Sequence, residues 1–109
     1  MAVDRMLVSG SMGMLLLKLL AEKDRYGYEM IEALRHRSQN VFELKAGTLY
    51  PLLHSLEEKN LLKSYEKEIS GKVRKYYSIT KEGRRALGRK EEEWKEYSEA
   101  VAKVLAYGV

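Results

Sequence analysis

Cysteine is missing from all 109 residues, which excludes a disulfide framework, thiolate-ligated zinc and a thiol nucleophile. Only two histidines occur, His36 and His54, too few for an ordinary histidine-based metal centre. A single proline and eight glycines argue against a loop-rich all-β chain. No apolar run approaches the ~20 residues that a membrane-spanning helix needs. The longest, residues 12–20, is broken by Lys18, and no small-residue cleavage site follows it. The expected compartment is therefore the cytoplasm, with no metal, no cofactor and no membrane partner.

What is present describes one globular domain: 45% apolar residues and 33% charged residues in a chain too short for a second large domain. The net charge is only +4, but it is unevenly placed. Residues 63–75 carry Lys63, Lys67, Lys72, Arg74 and Lys75 against Glu66 and Glu68, whereas residues 91–99 carry Glu91, Glu92, Glu93, Glu96 and Glu99 against Lys95. Phosphate is attracted to the first stretch and repelled by the second.

Residues 6–21 are apolar nearly all round, so the helix they predict needs cover on more than one side. Its own domain supplies one cover. A second subunit is the expected other, which puts Leu16 and Leu20 at a dimer interface. Residues 26–37 predict a second helix with Met30, Ile31 and Leu34 inward, ended by Ser38-Gln39-Asn40. A third helix is expected to run to about Lys59, with Leu49, Leu52, Leu53 and Leu56 as its buried stripe, Thr48 as cap and Asn60 as stop. Pro51 requires that helix to begin within the preceding turn or to bend. Two strands, 62–69 and 73–79, flank a Ser70-Gly71-Lys72 turn, and Thr80 caps a last helix reaching Tyr107, roughly 40 Å long. Its Leu87, Trp94, Tyr97, Val101 and Val104 follow a heptad seam, interrupted at Lys90 and Glu91.

The order helix, helix, helix, hairpin, long helix is that of a mainly α winged helix-turn-helix. Residues 1–80 form the expected DNA-binding unit, and 81–109 the dimerisation helix. With the leucine stripe inward, Gly47, Thr48, Tyr50, Pro51, His54 and Ser55 face outward or flank the third helix, where small and hydrogen-bonding residues suit base edges. Lys45 stands ready for phosphate. The plainer alternative is an amphipathic helix with an ordinary solvated face. Lys72, Arg74 and Lys75 at a protruding turn suit phosphate contacts beside a groove, or else form a charged edge that discourages aggregation.

Tyr26-Gly27-Tyr28-Glu29-Met30-Ile31, Gly47-Thr48-Leu49-Tyr50-Pro51-Leu52-Leu53 and Arg74-Lys75-Tyr76-Tyr77-Ser78-Ile79-Thr80-Lys81-Glu82-Gly83 together resemble the PadR family of bacterial transcriptional regulators, in order and in spacing. The single C-terminal helix resembles the family's compact branch. The resemblance implies a homodimer that binds a near-palindromic operator, usually as a repressor released by a small molecule. It places Lys45, Thr48, Tyr50, Pro51 and His54 in the recognition element, Tyr26 near a backbone phosphate, and Lys72, Arg74 and Lys75 in the wing. The chain departs from the usual Gly-Gly-Arg-Arg wing in having Ser70-Gly71-Lys72-Val73.

Trp94 stands fourteen residues after Thr80, where multidrug-responsive members of that family carry a tryptophan in the dimer pore. Two such rings across a two-fold axis would sandwich a planar aromatic effector. Met6, Met12 and Met14 would line the same space with Tyr97, and Glu93 and Glu96 would favour a cationic ligand. The alternative is that Trp94 and Tyr97 are plain dimer-core residues beside Val101 and Val104. No catalytic constellation accompanies His54 and its neighbours Glu57 and Glu58, so no enzyme is expected. A winged-helix module that binds a protein partner instead of DNA is the competing reading.

Overall fold

The computed structural model describes residues 3–108. Helix α1 (Arg5–Glu22) leads through a two-residue strand β1 (Arg25–Tyr26) into α2 (Gly27–Arg37) and α3 (Ala46–Glu58). The hairpin β2 (Leu62–Ile69) and β3 (Lys72–Ile79) follows, and α4 (Lys81–Ala106) closes the chain. The sheet is antiparallel in the order β1-β3-β2. This is a winged helix-turn-helix with a long C-terminal helix.

Helix α1 starts where the Asp4 carboxylate accepts the Met6 amide hydrogen at 2.8 Å, satisfying one of the free donors of the first turn. Its residues Met12, Leu16, Leu17, Leu19 and Leu20 are buried, and with Met30, Leu49, Leu53, Leu62 and Tyr77 they form the core. Here the structure corrects the expectation drawn from the apolar pattern. Leu16 and Leu20 are 0% and 1% exposed inside the protomer, so its own helices and sheet cover them and no second subunit is needed to do so. Met12, at 1%, is likewise a core residue, and it does not line the groove beside Trp94. What α1 leaves open is its first half, where Met6 is 83% and Leu7 65% exposed.

Between α2 and α3 the chain turns through Gln39 and Asn40, both with left-handed backbones (φ 52° and 70°). The Ser38 hydroxyl donates to Leu34 O at 2.6 Å and accepts the Phe42 amide hydrogen at 2.9 Å, tying the turn to the end of α2. Helix α3 begins at Ala46 with Lys45 in the cap position; Thr48, expected as the cap, lies one turn inside. Pro51 sits within the helix, and its missing amide leaves the Gly47 carbonyl without a helical partner. Asn60 ends α3 with a left-handed backbone (φ 61°), as its position predicts.

The Thr80 hydroxyl caps α4 by accepting the Gly83 amide hydrogen at 2.9 Å, and also donates to Asn60 O at 2.8 Å. Gly83 is set by packing: a Cβ there would collide with the Leu61 carbonyl and lie 2.7 Å from Ile79 Cγ1. Helix α4 is continuous across Gly88, where an added Cβ would meet nothing within 4 Å among the described residues. Beyond Leu87 no residue of α4 is buried, and Trp94, Tyr97, Val101, Val104 and Leu105 are all exposed. The projecting helix lifts the radius of gyration to 15.7 Å, above the ~13 Å of a compact domain of this length.

These two glycines separate by substitution. Gly83→Ala is expected to cost about 3 kcal/mol, because a backbone carbonyl cannot step aside, and to lower the thermal midpoint by roughly 15 °C. Gly88→Ala is expected to raise stability by about 0.5–1 kcal/mol through helix propensity alone. Circular-dichroism melts of both variants decide it; a Gly83→Ala protein as stable as the parent would refute the close contact.

Candidate nucleic-acid interface

The outer face of α3 is assembled by burying its inner one. Leu49, Leu53 and Leu56 point into the core, which leaves Lys45, Gly47, Thr48, Pro51, His54 and Ser55 exposed. Among the described residues, nothing outside its own helix turn lies within 4 Å of a Cβ placed on Gly47, so the first turn of α3 is open to close approach from outside. Tyr50 is 45% exposed, but a Cβ on Gly27 would collide with its hydroxyl. The ring therefore leans across the first turn of α2, and Gly27 is the residue that lets the two helices meet there. His54 Nε2 stands 2.7 Å from the Glu58 carboxylate one turn on, both groups in solvent. Glu57 instead accepts the Ser64 hydroxyl hydrogen at 2.7 Å, tying α3 to β2.

The hairpin closes through Ser70 and Gly71, whose positive φ values of 53° and 80° make the two-residue turn that suits the twist of paired strands. At its base lies a tyrosine cluster. Tyr65 stacks on Tyr76 (centroids 5.8 Å), and Tyr26 meets Tyr76 edge-on at 5.4 Å. The Arg74 guanidinium lies over the Tyr26 ring at 4.3 Å, and Lys67 Nζ over Tyr76 at 5.6 Å. Lys75 Nζ lies over Tyr77 at 5.6 Å. Strand β1, which pairs Tyr26 with Tyr76, is what brings the start of α2 against the wing.

A groove of about 540 Å³ opens between α1, α3 and α4. Met6, Gly10 and Met14 line it from α1, Leu52 and Leu56 from α3, and Glu93, Trp94 and Tyr97 from α4. Trp94 and Tyr97 are 51% and 61% exposed, their ring centroids 6.4 Å apart. The groove thus brings together Met6, Met14, Trp94 and Tyr97 of the expected ligand set, and leaves out Met12.

The profile described as the transcriptional regulator PadR-like family matches residues 16–89. The chain belongs to this family. A protein of Lysinibacillus sphaericus is 38% identical over 96 residues, covering 87% of this chain and 88% of its own. A transcriptional regulator from Clostridium thermocellum superposes with a TM-score of 0.86 at 32% identity, covering 94% of this chain and 97% of that one. A PadR family transcriptional regulator from Eggerthella lenta gives 0.83 at 36% identity, covering 94% and 88%. Membership carries the coarse function: this PadR-like protein is a DNA-binding transcriptional regulator. Among the described residues no helix is long and apolar enough to cross a membrane, and no cluster of ligating side chains could hold a metal ion.

In this PadR-like chain the helix-turn-helix is braced from behind by one carboxylate. Glu22, at the end of α1, accepts from Arg37 twice (2.9 and 2.6 Å) and from Arg25 once (2.8 Å), joining the ends of α1 and α2 to β1. Arg25 is itself buried, its Nε donating to Leu19 O at 3.0 Å. The Arg37 hydrogen bonds are the main reason that the Glu22 pKa falls from its ordinary 4.5 to about 2, with Arg25 adding to the shift against the cost of desolvation. Tyr65 titrates above its ordinary value because its hydroxyl donates to Asp24 at 2.7 Å, and burial pushes Tyr76 and Tyr77 up.

A carboxylate that is more acidic in the folded chain stabilises it above the unfolded pKa and loses that contribution as pH falls through the folded one. The thermal midpoint of the parent should therefore exceed that of Glu22→Gln by a constant margin above about pH 4.5. The margin should close as pH approaches 2. Melts of the two proteins across this window test it, and a margin independent of pH would refute the brace.

Proposed function

We propose that the protein acts as a homodimer on a near-palindromic operator, as a repressor that a planar aromatic compound releases. The exposed stripe of α4 carries this reading. Trp94, Tyr97, Val101 and Val104 recur at steps of three, four and three on a helix that the protomer leaves uncovered, beside the exposed Met6 and Leu7 of α1. Exposed apolar surface of that extent marks an interaction site. A heptad-like spacing fits a second helix of the same kind, and a two-fold axis satisfies it with one surface used twice.

Dimerisation through α1 and α4 fixes the separation of the two α3 helices, which has to be ~34 Å for half-sites in successive major grooves. Lys45, Thr48, Tyr50, Pro51 and His54 would meet the operator from α3. Tyr26, Lys72 and Arg74 would meet its backbone. The groove beside Trp94 has a volume within the range of small-molecule sites, and two copies facing each other would stack a flat ligand between tryptophans. Glu93, on the groove wall, favours a cationic one. Such a ligand releases DNA only to the extent that it binds one dimer geometry better than the other.

Sedimentation should give twice the protomer mass, and Val101→Asp with Val104→Asp should return it to one. In fluorescence anisotropy with a duplex from upstream of the gene and a panel of planar dyes, Trp94→Ala should blunt dye response more than DNA affinity. Arg74→Ala should do the reverse, costing on the order of five-fold in affinity at ~0.15 M salt. Equal effects of both substitutions in both assays would sink this division of labour.

A further inference from the structure

The strand register sorts the charges of the wing in a way that the linear sequence conceals. Residues paired across an antiparallel ladder share a face, and neighbours along a strand alternate. The pairs Lys63–Ser78, Tyr65–Tyr76, Lys67–Arg74 and Ile69–Lys72 therefore make one face, and Leu62–Ile79, Ser64–Tyr77, Glu66–Lys75 and Glu68–Val73 the other. The first carries four cations and no acid. The second carries two acids and one cation, and it continues toward Glu57, which Ser64 engages.

We propose that the face bearing Lys67, Lys72 and Arg74 is the one that lies against the DNA backbone, that Lys67 is a phosphate contact, and that Lys75 looks away from it. This assignment rests on the DNA-binding reading and refines it. The contacts within the sheet agree with the register: Lys67 lies over Tyr76 and Arg74 over Tyr26, whereas Lys75 lies over Tyr77 on the opposite side. The opposite face packs on α3 through Ser64 and Glu57, whereas the cationic face meets the start of α2. There Arg74 lies over the ring of Tyr26, and the next residue, the buried Gly27, is the one against which the Tyr50 hydroxyl of α3 packs. The partial positive charge of the α2 N-terminus lies at the same place.

Two carboxylates come near this face, and each is already engaged. Asp24 accepts the Tyr65 hydroxyl hydrogen at 2.7 Å, and Glu29 accepts the Tyr26 amide hydrogen at 3.1 Å. Lys67, Lys72 and Arg74 form no ion pair among the described residues, so their charge is available to a phosphate. The tyrosines under Lys67 and Arg74 hold the two cations over fixed rings, which lowers the entropy lost when a phosphate is bound.

The test uses the full chain, a labelled duplex from upstream of the gene and a scrambled duplex of the same length. Anisotropy is read across a salt series for the parent, Lys67→Gln and Lys75→Gln. A phosphate contact contributes about 0.9 to the slope of log affinity against log salt, which is about five-fold in affinity at ~0.15 M. Lys67→Gln is expected to flatten the slope by about that amount and to weaken both duplexes alike, since a backbone contact carries no sequence information. Lys75→Gln is expected to cost less than half as much in log affinity, and unchanged melts would show that neither variant disturbs the fold. A loss at Lys75 equal to or larger than that at Lys67, or a Lys67→Gln protein with the parent's slope, overturns the assignment. A parent that binds neither duplex in a salt-sensitive way overturns the DNA reading itself and this inference with it.

Discussion

Helix α1 is the member against which everything else is positioned. Its second half is enclosed by α2, the sheet and the start of α4, with Leu16, Leu17 and Leu20 at the centre, and its last residue, Glu22, ties down Arg25 and Arg37. Helix α3 and the inner end of the hairpin share one core with this segment. Only the first half of α1 and most of α4 remain outside it. The molecule is thus a packed winged helix-turn-helix joined to an uncovered surface, and the division falls within two helices instead of between two domains.

Much of this was legible in the chain itself. The helix periods, the leucine stripe of α3, the Ser70-Gly71 turn and the Thr80 cap are local signals, and the elements follow them to within a residue or two. Thr48 was misread as a cap because the residue that takes the position, Lys45, has no side chain suited to it and makes no capping bond. Strand β1 was unreadable because two residues cannot display alternation. Leu16 and Leu20 were assigned to the wrong neighbour for a deeper reason. A helix that is apolar on every side announces that it must be covered, but periodicity does not say by whom, and here the same chain does it.

The candidate interface divides in the same way. The residues of α3 could be read from their neighbours in sequence, since a buried stripe defines an exposed one. The glycines could not, because each answers to a distant partner: Gly27 to Tyr50, and Gly83 to the Leu61 carbonyl. In the wing, Lys67 stands between two glutamates and reads only as part of a basic stretch, whereas Lys75 stands in a basic cluster and reads as a contact. Only the pairing of β2 with β3 shows that Lys67 shares a face with Arg74 and that Lys75 shares one with Glu66.

That pairing imposes a parity rule on a segment that otherwise looks free to vary. A hairpin arm in solvent tolerates insertions in terms of stability, but shifting one strand by a single residue sends every side chain on it to the opposite side. In this wing such a shift would bring Glu66 and Glu68 to the side where Lys67 now stands, reversing the sign of that strand's contribution without altering composition or net charge. Related chains can therefore lengthen or shorten the arm by two residues per strand and keep its polarity. A change of one has to be absorbed by a bulge or accompanied by a rewritten charge pattern.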